Sequence, residues 1–256
     1  MAPMKRHLTI ITGASRGLGR ATAERLLRQP GVHLVCISRR TDGALASLAD
    51  AQGAELVQWT FDLADARAAA DRLNGWLKDL DASAYDSVTL INNAGTIAPP
   101  RPLHQADAAD VAHALRVGLE APMLLTAAFL GGTAEWKAAR KVLNISSGLG
   151  RHAMAAQGPY CAAKAGMDHF SRTVALEESS RPNGARIVSL APGVIDTDMQ
   201  IALRAGDPQT FPDRARFVQL KEEGRLDSPD HAAAKLLHYL AREDFGAHPV
   251  ADVRDA

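Results

Sequence analysis

Several absences narrow what this 256-residue chain can be. It has two cysteines, Cys36 and Cys161. They are too few for a disulfide framework and wrongly spaced for a zinc knuckle, so reduced thiols in a cytoplasmic protein are expected. Charge of one sign is not in excess: Lys plus Arg and Asp plus Glu number 29 each, and the formal charge is zero. That balance excludes the basic stripe of a nucleic-acid binder and a patch for anionic membranes. Long apolar runs are missing too. The opening Met1–His7 leads into Leu8–Ile11, too short for a secretory signal, and nothing approaches the roughly 20 apolar residues of a membrane span. Nine histidines show no metal spacing; His231 and His238 stand seven apart on a helix with no acidic partner pattern. No metal is therefore expected. Internal repeats, low-complexity tracts and a linker that would divide the chain are also absent.

Short β-branched runs alternate with longer helical patterns. Strands are expected at 8–12, 33–37, 55–58, 87–91, 141–145 and 186–190. Helices are expected at 18–29, 65–80, 111–129 and 159–178. This alternation implies a parallel sheet covered on both faces, an α/β doubly wound, Rossmann-type single domain spanning 1–256. From Met199 to Pro229 the rhythm breaks into scattered Gly and Pro with charged helical fragments. An insertion of that length in a compact domain reads as a substrate flap.

Thr12-Gly-Ala-Ser-Arg-Gly-Leu-Gly19 follows the first strand and opens the first helix. Glycine there permits a sharp turn and a close approach to a pyrophosphate seated on the helix N-terminus. Gly13, Ser15, Arg16, Gly17, Leu18 and Gly19 are thus candidate cofactor contacts. An NAD site usually places an acid at the end of the second strand to hold the ribose 2′-hydroxyl. This chain reads Val35-Cys-Ile-Ser-Arg-Arg40 instead. Ser38 with Arg39, helped by Arg16, suits a 2′-phosphate, so NADP(H) is expected; a merely solvated basic loop is the plainer alternative.

Four further segments complete a pattern: Asn92-Asn-Ala-Gly95, Asn144-Ile-Ser-Ser147, Tyr160-Cys-Ala-Ala-Lys164 and Pro192-Gly-Val-Ile-Asp-Thr197. In this order and with the glycine loop, the chain resembles the short-chain dehydrogenases/reductases over almost its whole length. Ala191–Gln200, Leu220–Leu226 and the Phe245-Gly-Ala-His248 tail look more narrowly like sepiapterin reductases and bacterial benzil reductases, which reduce a ketone beside another carbonyl. The resemblance implies a catalytic set of Ser147, Tyr160 and Lys164. The substrate carbonyl would bond Ser147 and Tyr160, NADPH would give hydride to carbon, and Tyr160 would protonate the oxygen. Lys164 would also hold the nicotinamide ribose. Tyr160 and Lys164 are four apart and share a helix face; a neighbouring ammonium is expected to draw a phenol pKa of about 10 toward the working range.

By family position, Asp62 and Leu63 would border the adenine, with Asp62 also able to cap a helix. Asn92, Ala94 and Gly95 would line the ribose side, and Pro192, Gly193, Val194 and Thr197 the nicotinamide end. Leu149, Met154 and Met199 are candidate substrate contacts, although methionine also serves as gap-filler. Asp255 is a candidate anchor for a polar substrate, as a late aspartate is in sepiapterin reductases. A small carbonyl compound, a 1,2-dicarbonyl or pterin-like molecule, is the expected substrate, and a homodimer or homotetramer the expected assembly. Two alternatives stay open: an alcohol or hydroxysteroid dehydrogenase of the same fold, and a weakly catalytic NADP(H)-binding regulator.

One position departs from the family. Its usual water-holding asparagine is replaced by Gly118 in Leu115-Arg-Val-Gly-Leu-Glu-Ala-Pro122. The space so released is expected to admit a water bonded to Lys164, and Gly118→Asn is expected to leave kcat unchanged or raise it.

Overall fold

The computed structural model describes residues 6–255; the lead-in Met1–Lys5 falls outside them. Seven strands form one parallel sheet: β1 His7–Thr12, β2 Val32–Ser38, β3 Glu55–Thr60, β4 Ser87–Asn92, β5 Ala139–Ile145, β6 Arg186–Ala191 and β7 Val250–Asp252. Their order is β3-β2-β1-β4-β5-β6-β7. Among the described residues, nine α-helices accompany the sheet: α1 Gly17–Leu27, α2 Gly43–Gln52, α3 Arg67–Asp79, α4 Ala108–Leu115, α5 Ala121–Gly132, α6 Gly158–Ser179, α7 Asp198–Arg204, α8 Arg214–Glu222 and α9 Pro229–Ala241.

The strands are apolar on both faces because helices cover both. In β2, Val35 and Ile37 enter the core beneath α3, α5 and α6, while Leu34 and Cys36 enter the core beneath α1, α2 and α9. Period-2 alternation thus feeds two cores at once, as a buried parallel sheet requires. The order reverses between β1 and β4. A crevice opens there at the carboxyl ends of the strands, where doubly wound sheets bind ligands.

Six strands and four long helices fall where expected, within a few residues. α2 and β7 were not expected. Asp42 caps α2 by accepting from the Ala44 and Leu45 amides, and Gly53 closes it at φ +62°; its apolar face is short, Leu45 and Ala49 buried with Leu48 partly buried beside them. β7 is three residues long and exists because Ala191 and its neighbours offer an edge.

The helix expected at 111–129 is α4, a π-turn at Arg116–Glu120, and α5. Together they form one apolar stretch, Ala108–Gly132, long enough to cross a membrane by length and composition, contrary to expectation. Its Ala121, Leu125, Ala128 and Phe129 nevertheless belong to the core against α3, so burial in the domain accounts for its hydropathy.

Residues 199–229 hold α7 and α8. Leu203, Phe211 and Phe217 give the segment a small core of its own, packed on Ile97, Met154 and Met199. Its two ends are joined: the Asp227 amide donates to the Val194 carbonyl and the Asp196 amide to the Asp227 carbonyl, both at 2.9 Å.

Candidate active site

A cavity of about 1160 Å³ occupies the crevice. That exceeds the roughly 300–1,000 Å³ of an ordinary small-molecule pocket, leaving room for an extended ligand and a second, smaller one. Its floor is the glycine loop. The Gly13 amide donates to the Ile37 carbonyl, and the Ala14 amide to the Ser38 hydroxyl at 2.9 Å. Thr12 Oγ1 accepts from the Asn93 and Ala94 amides, and Asn93 Nδ2 donates to the Thr12 carbonyl.

This packing explains two of the glycines. A Cβ on Gly13 would lie 2.9 Å from the Ala94 Cα, and one on Gly19 would collide with Asn93 Nδ2 and the Gly13 carbonyl oxygen. Both are required by the protein's own loop packing. Gly17 is different: it starts α1 at φ +54° and borders the cavity. Arg16 precedes it without a capping side-chain bond, so the first-turn amides of α1 remain for an anion.

Arg16 itself donates to the Asp198 carboxylate at 2.8 Å, across the mouth of the cavity to the start of α7. Arg39 lies exposed on the wall with no ion-pair partner among the described residues. Asp62 and Leu63 border the same end, and Asp62 also accepts from the Ala64 amide at 2.9 Å. Its capping and lining positions coexist. Ser15, Leu18, Ala94, Gly95, Pro192, Gly193, Val194 and Thr197 all border the cavity, as do Leu149, Met154 and Met199.

Two candidates stand elsewhere. Asn92 is turned away: Nδ2 donates to Asn144 Oδ1 and Thr126 Oγ1, and Asn144 continues to Ser171. It is 1% exposed and cross-links the sheet to α5 and α6, whereas its neighbour Asn93 lines the cavity. Successive residues at a strand end point oppositely, so one asparagine had to face inward. Asp255 is exposed and outside the lining. Asp252, on β7, lines the cavity instead, gripped by Arg254 at 2.8 and 2.6 Å. That guanidinium holds the Asp252 carboxyl below its usual range. The added strand β7 is what brings residue 252 rather than 255 inward.

Ser147, Tyr160 and Lys164 converge on the cavity from the end of β5 and the first turns of α6. Ser147 caps the turn Gly148–Gly150 through the Leu149 amide. Lys164 is buried; its Nζ donates to the Ile145 carbonyl at 2.6 Å and lies 5.7 Å from the Tyr160 ring centre. Burial pushes its pKa down to about 8, opposed by Asp168 one helix turn on. Asp168 accepts from Ser146 and Ser189 at 2.6 and 2.7 Å.

Tyr160 behaves contrary to expectation: its pKa is raised, chiefly by burial, with Ser147 pulling the other way and Cys161 adding to the rise. The lysine is spent on a backbone carbonyl and lies beneath the ring, so desolvation dominates. A phenol in that state keeps its proton at neutral pH and can donate it.

Gly118 also differs from expectation. A Cβ there would stand 3.1 Å from the Ala163 Cβ on α6. A side chain at this position would thus meet the helix carrying Tyr160 and Lys164 before it reached any room released by the glycine. His113, Gln157, Gln200, Phe217 and Leu220 also belong to the lining. Gln200, Phe217 and Leu220 fall in the segment expected to cover the substrate and Gln157 stands three residues before Tyr160, whereas nothing in the sequence singled out His113.

Residues 7–208 match the family model described as short chain dehydrogenase. The chain belongs to the short chain dehydrogenase family. Among members of that family, a benzil reductase ((S)-benzoin forming) of Bacillus cereus is 38% identical over 236 residues, covering 92% of this chain and 94% of its own. A sepiapterin reductase of Meriones unguiculatus is 35% identical over 254 residues, covering 93% and 94%. A solved Agrobacterium tumefaciens structure with bound NADP, provisionally assigned as a 2-deoxy-D-gluconate 3-dehydrogenase, superposes with a TM-score of 0.78 at 26% identity. It covers 97% of this chain and 95% of its own. As in other short chain dehydrogenases, the chemistry available is oxidoreduction of a carbonyl or alcohol.

Proposed function

We propose that this oxidoreductase is an NADPH-dependent carbonyl reductase acting on small ketones, a 1,2-dicarbonyl or pterin-like compound among them. The observation that carries the reading is the convergence of Ser147, Tyr160 and Lys164 at one end of a cavity whose other end is the glycine loop and Arg39. The residues present fit a dinucleotide. The uncapped α1 amides suit its phosphates, and Arg39 suits a 2′-phosphate where no acid competes for the ribose. NADP in the Agrobacterium relative supports that choice, and the reductase names of the Bacillus and Meriones relatives support the reductive direction.

When bound, the reduced nicotinamide supplies hydride to the carbonyl carbon. Ser147 and Tyr160 hold the carbonyl oxygen. Tyr160, kept protonated by burial, gives its proton to the oxygen as negative charge develops there. Lys164, with its ammonium anchored on Ile145, stabilises the phenolate left behind and orients the ribose. Residues 199–229 form the cover that excludes water. Both cysteines are free, as a cytoplasmic location would keep them. Exposed Met123 on α5 and Leu176 on α6 are the faces through which a homodimer or homotetramer would assemble.

The test is NADPH oxidation against diketones, pterins, quinones and steroid ketones, with Tyr160→Phe beside the wild type. Tyr160→Phe is expected to lose at least about a hundredfold in kcat while still binding NADPH by fluorescence titration. Near-normal turnover in that variant would overturn the assignment.

A further inference from the structure

Two side-chain amides in the cavity are left without partners. Gln157 precedes α6 and Gln200 lies on α7, and both border the cavity. They are 3% and 7% exposed. Gln157 Nε2 and Gln200 Oε1 are fully enclosed, yet neither has a hydrogen-bond partner among the described residues. Leaving a buried amide unbonded is costly. Asp168 Oδ2 and Asn92 Oδ1, behind the site, are also without a hydrogen-bond partner among the described residues, but of the residues with such atoms only Gln157 and Gln200 line the cavity. They are of opposite sense, one a donor and one an acceptor.

Their placement matters as well. Gln157 stands three residues before Tyr160 on the fixed wall, and Gln200 comes from the 199–229 cover. We propose that this pair recognises the group next to the reacting carbonyl, and that the preferred substrate carries both an acceptor and a donor there, as an α-ketoamide, an α-hydroxyketone or a ketone on a cyclic amide does. Such a group satisfies Gln157 and Gln200 together, so its binding draws the cover toward the catalytic helix. A diketone offers acceptors only and leaves the Gln200 carbonyl unbonded. A polar site built this way rejects the analogue that lacks the matching group more strongly than an apolar pocket can. The inference rests on the carbonyl-reductase reading and sharpens its substrate.

The test uses full-length protein, NADPH and three aryl ketones of similar size: benzoylformamide with donor and acceptor, 1-phenyl-1,2-propanedione with acceptors only, and propiophenone with neither. The quantity read is the kcat/KM ratio of benzoylformamide to the diketone, compared between wild type, Gln157→Leu and Gln200→Leu. Gln200→Leu is expected to lower that ratio at least about tenfold, whereas Gln157→Leu, which loses the donor both compounds use, is expected to lower kcat/KM for both relative to propiophenone at least about tenfold. Thermal melting of the ligand-free variants is the second readout. Replacing an unbonded buried amide by an apolar side chain of similar size is expected to leave Tm unchanged or raise it. Should leucine's branching disturb packing, Gln→Met variants carry the same comparison. An unchanged ratio in Gln200→Leu, or an unchanged preference for the diketone over propiophenone in Gln157→Leu, overturns the proposal and leaves the reductase reading standing. A wild type that binds NADPH but reduces none of the three, nor any other ketone, overturns both.

Discussion

At the scale of single residues, the site turns on where charge is desolvated. Lys164 is buried with its ammonium on one carbonyl and titrates near 8. If the charged form is required, kcat/KM falls as pH rises through about 8, because a lowered lysine pKa means the proton leaves early. The pH dependence of kcat/KM reports the free enzyme. Asp168 is what opposes the fall in that pKa, so Asp168→Asn is expected to move the basic limb to lower pH. A profile flat from pH 7 to 10 would remove Lys164 from the mechanism. Arg39 is the other decisive residue. Arg39→Asp exchanges a phosphate partner for a ribose-hydroxyl partner and is expected to reverse or flatten a preference for NADPH over NADH, measured as the ratio of kcat/KM values. Equal values in the wild type would refute the cofactor choice.

At the scale of elements, contacts between helices carry the consequences. The π-turn at Arg116–Glu120 sets Gly118 against Ala163 of the catalytic helix. A contact of 3.1 Å is shorter than the about 3.5–4.0 Å usual between carbons, so a side chain there presses on α6. Gly118→Asn is therefore expected to destabilise by about 1–3 kcal/mol, the scale of an overpacked core, and Ala163→Gly in the same chain to restore part of the loss. Thermal melts of the single and double variants decide it; an unchanged Tm for Gly118→Asn would mean that α6 yields freely.

The Arg16–Asp198 pair links the glycine loop to the cover, with both side chains 66% exposed. A 2′-phosphate and Asp198 would compete for the same guanidinium. Asp198→Asn is expected to tighten NADPH binding by a few-fold, the scale of an exposed pair, and to leave NADH binding where it is. Titration of both cofactors checks this, and weaker NADPH binding in the variant would contradict it.

For the whole molecule, the parallel sheet holds the glycine loop, Ser147 and residues 192–197 at one edge. The proposed homo-oligomer would form through the outer helices. Leu176 on α6 is 74% exposed, an unusual place for a large apolar side chain on the helix that carries the catalytic pair. Leu176→Glu is expected to reduce the assembly to smaller species in light scattering after size exclusion. Monomeric wild-type protein would show that face to be simple solvent surface.

Much of this was legible in the residue order, for reasons of short-range geometry. Strand–helix alternation implied the sheet because helices on both faces demand continuous apolar runs. The spacing of Tyr160 and Lys164 implied a shared helix face because α-helical geometry is local. The missing acid after β2 could be read for the same reason. What the order could not decide is which of two neighbouring residues faces inward, and what packs against what. Asn92 and Asn93 are identical side chains, and only the contacts with Asn144 and Thr12 sort them. Asp252 displaces Asp255 from the site because β6 offers an edge to residues 250–252, a pairing about sixty positions away along the chain. The raised phenol of Tyr160, the Ala163 side chain set against Gly118 and the unbonded amides of Gln157 and Gln200 are likewise products of packing, a property of the folded domain and of no single stretch of sequence.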